Sequence, residues 1–247
     1  NLDRETDALR EKFAAAHPGK FRLLQAVADS YRGANHHGNI VAGEYKRGHH
    51  RGGGEYANSF ERDRIRALQL MEQATALVEQ QASPGQAASF YLTFASQVLT
   101  GRGQYGAWKL NALSDTSKLP DFENGYYYGW HHSDGTPGAP VDENGDPVFP
   151  RVPDSFASAQ SDGERWRWLL ERAKTLNEGF ERNADWVFAE FLHQQFGVQT
   201  MAEHGWFFYG SRAQQADSGK DSSGTYQLHT LDRDETIAKL ATGIKRF

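Results

Sequence analysis

Six of the ten histidines stand in adjacent pairs, His36 with His37, His49 with His50 and His131 with His132, and paired imidazoles are the first place to look for a metal site. Such a pair is a poor chelate. Neighbouring side chains diverge on a strand or a helix, so two adjacent imidazoles seldom reach one ion. The HExxH spacing, which puts two imidazoles on one helix face, does not occur in the chain. The pairs are read as surface or loop-packing residues, and no metal ligand is assigned. Asp142, Asn144 and Asp146 imitate the first oxygen ligands of a calcium loop. The loop's obligatory glycine is replaced by Pro147 and its bidentate glutamate by Pro153, so the imitation fails. Asn144-Gly145 between Val141 and Val148 reads instead as the turn of a short β-hairpin near 139–150.

Two further clusters could do chemistry. Arg51-Gly52-Gly53-Gly54 could wrap an anion with backbone N–H groups, but no Lys-Ser/Thr pair follows it as in a phosphate-binding loop. A glycine-rich bend that lets Arg47 and Arg51 reach helix carboxylates accounts for it better. Glu61, Arg62, Asp63, Arg64 and Arg66 form a charged helix start, where solvated or ion-paired structural work is the ordinary role. A nucleophile needs a base within hydrogen-bond reach and a group that orients that base. Serine, histidine and aspartate are plentiful, yet none sits in a GxSxG elbow or a comparable frame. Glu164 and Glu171 share a helical face, but Glu164 has a capping role. No catalytic or cofactor-binding residue is assigned, and no cofactor is implied.

The elements that would position these groups are mostly helical. Leu2, Thr6, Leu9, Phe13 and Ala16 recur at steps of three and four and predict one apolar helix face, stopped by Pro18-Gly19. Phe21, Leu24, Val27, Ala28 and Tyr31 predict a second helix, close enough to pair with the first. A third starts at a capping Asn58 with Glu61 and carries Ile65, Leu68, Met71, Ala74 and Val78. Ser83, Pro84 and Gln86 open a fourth, lined by Ala87, Phe90, Tyr91, Phe94, Ala95, Val98 and Leu99 and stopped near Gly101. Ser161 and Glu164 open a fifth with Trp166, Leu169, Leu170, Ala173 and Leu176. Its partner carries Phe180, Ala184, Val187, Phe188, Phe191 and Leu192. A last helix follows Asp232 and Glu235, with Ile237, Leu240, Ala241 and Ile244.

Hairpins of this kind bury their apolar faces against one another in tetratricopeptide-like arrays. The expected fold is mainly α, with helical hairpins stacked in such an array and long insertions at 33–57, 102–153 and 197–231. Insertions so rich in aromatic residues, such as Tyr126-Tyr127-Tyr128 and Trp206-Phe207-Phe208-Tyr209, are expected to fold back onto the helices. The 247 residues suffice to bury a substantial core in one domain spanning 1–247, although the apolar share of 38% leaves much loop and surface. A net charge of −5 gives no broad basic field for nucleic acid or anionic lipid. No apolar run approaches the roughly 18 residues of a membrane span, so no insertion by this segment is expected. The absence of cysteine excludes disulfides, thiolate ligands, a cysteine nucleophile and an internal thioester within these residues. The chain opens at Asn1 without a signal-peptide layout, which leads us to expect a fragment of a longer chain.

Several strings together carry a resemblance. They are Gly43-Glu44-Tyr45-Lys46-Arg47-Gly48 with Arg51 to Gly54, then Glu61 to Leu70, Asp162 to Trp168, Phe196 to Thr200, and the closing stretch Asp234 to Phe247. From about residue 20 to its end, the chain resembles the amino-terminal helical region of very large bacterial alpha-2-macroglobulin-like proteins. The resemblance implies continuation into further tetratricopeptide-like helices and macroglobulin β-sandwich domains, in proteins implicated in protease trapping at the cell envelope. It implies a periplasmic, envelope-associated or extracellular setting. The family's thioester and bait segment lie far downstream, and no residue here matches either. The leading expectation is a non-catalytic helical scaffold whose partners are downstream domains of the same polypeptide and other proteins. Two rivals stay open: a metal-dependent hydrolase using the histidine-rich loops, and a free-standing peptide-binding helical-repeat adaptor.

Overall fold

In the computed structural model the described residues are 2–103, 106–125 and 149–196. The expected hairpin near 139–150, the His131–His132 pair, the aspartates of the calcium-like run, the aromatic clusters at 126–130 and 206–209 and the last predicted helix fall on or reach into residues outside these ranges. The described chain is mainly helical. Six α-helices run in the order α1 (Leu2–Ala16), α2 (Phe21–Arg32), α3 (Phe60–Gln81), α4 (Pro84–Val98), α5 (Asp162–Leu176) and α6 (Glu181–Phe196). Between α2 and α3 lie three strands, β1 (His37–Val41), β2 (Glu44–Arg47) and β3 (Glu55–Asn58), and β4 (Glu123–Asn124) adds to them later.

The helix stripes read from periodicity become the core. The five expected stripe positions of α2 and the five of α3 are all buried, together with Phe90, Tyr91 and Phe94 of α4 and Trp166, Leu169 and Leu170 of α5. Aromatic edges lock this core: Phe90 meets Phe21 and Tyr91 in T-shaped contacts at 6.2 and 5.5 Å, and Trp166 lies 4.8 Å from Phe191. The broadest helix interfaces join α2 to α3 and α4 to α5. Gln86 reaches back to the Ser83 N–H at 3.2 Å, and Ser161 Oγ accepts from the Glu164 N–H at 3.1 Å, so both expected helix starts carry caps.

Three local expectations are corrected. The face that α1 turns to the body is Asp7, Arg10, Glu11 and Ala14; Leu9 and Phe13, read as its buried stripe, are 51% and 46% exposed. Polar contacts, not apolar area, decide its rotation. The N-cap of α3 is Ser59, not Asn58, and Glu61 does not close a capping box but pairs with Arg64 and Arg102. Asn58 Oδ1 still accepts from the Phe60 N–H at 3.2 Å, one residue out of register with the expected cap. The 33–57 insertion supplies β1, β2 and most of β3 to an antiparallel sheet of order β2-β1-β3-β4, whose edge strand β4 comes from the 102–153 insertion. β1 and β2 are joined by Ala42-Gly43, with φ of 51° and 80°. Both lie in the left-handed region, the signature of a type I′ turn, which normally advertises itself as Asn-Gly. Alanine at the first position hides the hairpin. Residues Ala107 and Leu110 of the 102–153 insertion are buried in the core, as expected of a segment that folds back.

Candidate functional site

The sheet and the start of α3 bring together residues that the sequence left scattered. Arg47, at the end of β2, donates from Nη1 and Nη2 to Asp63 Oδ2 and Oδ1 at 2.7 and 2.9 Å, the forked geometry of a strong ion pair. Its Nε donates to Asp7 Oδ2 of α1 at 2.7 Å, and Nη1 also reaches Ser59 Oγ and the Asn35 carbonyl at 2.7 and 2.8 Å. One guanidinium therefore ties β2 to α1, to α3 and to the loop before β1. This is the helix-carboxylate pairing read for Arg47 from its glycine-rich surroundings; Arg51 remains exposed.

Asp63 is the hub. Besides the guanidinium it accepts from Ser59 Oγ at 2.7 Å and faces His36 Nδ1 at 2.8 Å. Burial presses its carboxyl upward, yet the hydrogen bonds of His36, Arg47 and Ser59 and the Arg47 charge together hold it below the usual aspartate range. It is an ionised acceptor, so His36 Nδ1 carries the hydrogen between them. Tyr45 closes the cluster, its hydroxyl donating to the His36 carbonyl at 2.9 Å and its ring stacked on Phe122 at 4.2 Å. Burial pushes the Tyr45 hydroxyl up, which keeps it a donor.

Serine, aspartate and histidine thus meet here, and the order of their contacts decides what they can do. A nucleophilic serine must hand its proton to an imidazole that a carboxylate orients. Here the carboxylate stands in the middle, taking hydrogen bonds from the serine and the imidazole separately. A carboxylate held acidic by a guanidinium is a weak base. The arrangement is a staple of three elements.

Beside the cluster opens a pocket of about 280 Å³. On its rim Arg66 forks onto Glu11 at 2.9 and 2.7 Å, and Tyr31 donates to the same carboxylate at 2.5 Å. Arg62 donates to the Pro120 carbonyl at 2.6 Å and lies 4.8 Å above Phe122. The Arg66 hydrogen bond, working against burial, holds Glu11 low. Each of these cations already has an acceptor in the protein.

A second charged knot lies on the other side of α3. Arg64 donates to Asp162 Oδ2 at 2.8 Å, the Val98 carbonyl at 3.1 Å, Ser114 Oγ at 2.9 Å and Glu61 Oε1 at 3.0 Å. Arg102 adds a bond to Glu61 at 2.7 Å. Asp162 accepts further from the Ser114 N–H at 3.0 Å. The charged start of α3 is therefore ion-paired as expected, but Asp63 and Arg64 are interior residues rather than a solvated face.

The two histidine pairs among the described residues each divide between different surroundings. His36 turns into the Asp63 cluster while His37 begins β1, and His49 is exposed with His50 half-buried on the turn that follows β2. Among the described residues no group of three or more His, Asp or Glu is placed to share an ion. Asp7 and Ser59 went unnoticed in the sequence, where nothing marks them as partners of Arg47. Comparison with models of protein families, with curated proteins and with solved structures finds no match.

Proposed function

We propose that this chain is a non-catalytic scaffold module, its helices arranged as a tetratricopeptide-like array, at the front of an envelope or secreted alpha-2-macroglobulin-like protein of the protease-trapping kind. The observation that carries the reading is the order of contacts around Asp63. The residue types that could run acyl transfer are spent on joining α1, α3 and the sheet, with the carboxylate as hub and no imidazole between it and the serine. The second knot joins α3 to α5 in the same manner. Rigid joints of this kind suit a body that holds neighbouring domains at fixed positions. The broad packing of α2 on α3 and of α4 on α5 is what supports reading the helices as a stacked array.

The test has two arms. Domains encoded downstream in the same reading frame are expected to co-purify with this chain when the two are expressed separately. A broad screen of hydrolase and transferase substrates is expected to give no turnover above that of the Asp63→Asn variant. Robust turnover that Ser59→Ala or Asp63→Asn abolishes would replace the scaffold with an enzyme.

A further inference from the structure

A second pocket, of about 380 Å³, opens between α3, α4, α5 and the short turn Phe156–Ser158. Three rings wall it: Phe94 lies 5.2 Å from Phe156, and Phe156 meets Trp168 edge-on at 6.0 Å. Two charged side chains of opposite sign also line it, Glu72 of α3 and Arg165 of α5. Glu72 Oε2 accepts from Thr116 Oγ1 at 3.1 Å, whereas Oε1 is buried with no partner. Arg165 Nη1 donates to the Ser114 carbonyl at 2.9 Å and faces Asp162 at 3.5 Å, while its buried Nε has no partner either. Each charged residue on the pocket wall therefore carries one unmet polar atom, an acceptor on Glu72 and a donor on Arg165, and the Arg165 guanidinium lies 5.1 Å from the Phe156 ring centre. Leaving such groups unpaired is costly, and a ligand that meets both recovers that cost.

The sign of the two charges selects the ligand. A cation would be drawn to Glu72 and repelled by Arg165, and an anion would meet the reverse. A neutral planar group with a donor beside an acceptor satisfies both and lies flat against the rings. We propose that this pocket is a binding site for a carboxamide, offered either by a small amide or by a glutamine or asparagine side chain of a partner polypeptide. The volume falls in the range of roughly 300–1,000 Å³ typical of small-ligand clefts. The terminal torsion of Glu72 is soft, which lets the unpaired oxygen turn to the opening. The inference stands apart from the scaffold reading, since it concerns what this one chain binds.

The test is a titration of the intact chain, ¹⁵N-labelled, followed through the Trp168 indole N–H signal, which Trp168→Phe identifies. The probes are propionamide, propylammonium, propionate and N-acetylglutamine methylamide. Both amides are expected to shift the signal saturably, and the two ions to bind about tenfold more weakly, the scale of leaving one buried charged partner unmet. Glu72→Leu, checked for an unchanged fold by its circular dichroism, is expected to abolish the amide response, and Arg165→Lys to weaken it. If the glutamine derivative binds more tightly than propionamide, the source is a polypeptide; if not, it is a small amide. An equal response to all four probes, no response to any, or a response that survives Glu72→Leu overturns the proposal.

Discussion

Arg64 and Asp162 stand 98 residues apart in the chain and meet at 2.8 Å, each with a side chain only 1% exposed. Removing one partner of such a pair strands a charge in the interior. Asp162→Ala is expected to lower unfolding stability by about 3–5 kcal/mol, read from urea titrations. Replacing both, as Arg64→Met with Asp162→Leu, is expected to recover much of the loss, because two apolar groups of similar volume ask for no compensation. A double variant as unstable as the single would show that Ser114 and Val98, rather than the charge pair, hold this joint.

Asp63 predicts an acid limb of stability. Its carboxyl is held below the ordinary aspartate value of about 3.9, so the folded state keeps the ionised form more strongly than the unfolded state does. The contribution is fully present above about pH 4 and is lost as pH falls through the lower folded value. Urea midpoints measured from pH 7 to pH 2 are expected to drop more steeply below pH 4 in the native chain than in Asp63→Asn.

Glu72 has the opposite sign. Burial raises its carboxyl, so the folded state prefers the protonated form, and the penalty on folding grows as pH rises above the ordinary glutamate value of about 4.3. Glu72→Gln is expected to raise Tm at pH 7 and to leave it unchanged at pH 3. A gain that persists at pH 3 would point to packing and not to charge.

Gly38 is where β1 passes under the Tyr45 ring. A Cβ at this position would lie 2.5 Å from the Lys46 carbonyl oxygen and 2.7 Å from the ring. Backbone cannot yield as a side-chain end can, so Gly38→Ala is expected to cost about 1–3 kcal/mol and to move Tyr45 off Phe122. Loss of the ring-current shifts of that stacked pair in proton NMR is the check.

The docking of α1 rests on Asp7 with Arg47, on Glu11 with Arg66 and Tyr31, and on Arg10 with Ser30, while Ala14 alone among its positions with assigned burial is buried. Ion pairs at this depth weaken with salt more than apolar contacts do. Amide exchange in α1 is expected to quicken in 1 M salt or in Asp7→Asn with Glu11→Gln, while exchange in α3 stays slow. Equal protection of the two helices under both conditions would mean that apolar contacts hold α1.

Trp166 and Trp186 separate packing from decoration. Trp166 has no exposed surface and touches Phe188 and Phe191, whereas Trp186 is 69% exposed on α6. Trp166→Ala is expected to cost about 3–5 kcal/mol, and Trp186→Ala less than about 0.5 kcal/mol, by the same urea titration.

What the sequence by itself determined is the helical frame. The stripes Phe21, Leu24, Val27, Ala28, Tyr31 and Ile65, Leu68, Met71, Ala74, Val78 are buried as their spacing required, because a helix repeats every 3.6 residues and apolar periodicity is a local signal. The starts at Ser83 and Ser161 were legible for the same reason: a cap and its partner lie three residues apart. Only the tertiary structure decided the sheet, the rotation of α1 and the site around Asp63. The hairpin turn is Ala42-Gly43 instead of a recognisable Asn-Gly. The apolar positions of α1 lost to carboxylates that had guanidinium partners elsewhere. Arg47 finds Asp63 across 16 residues and Asp7 across 40, and Glu72 shares its pocket with Arg165 from another helix. Charge pairing between separate elements has no sequence period: it depends on which elements the fold packs side by side.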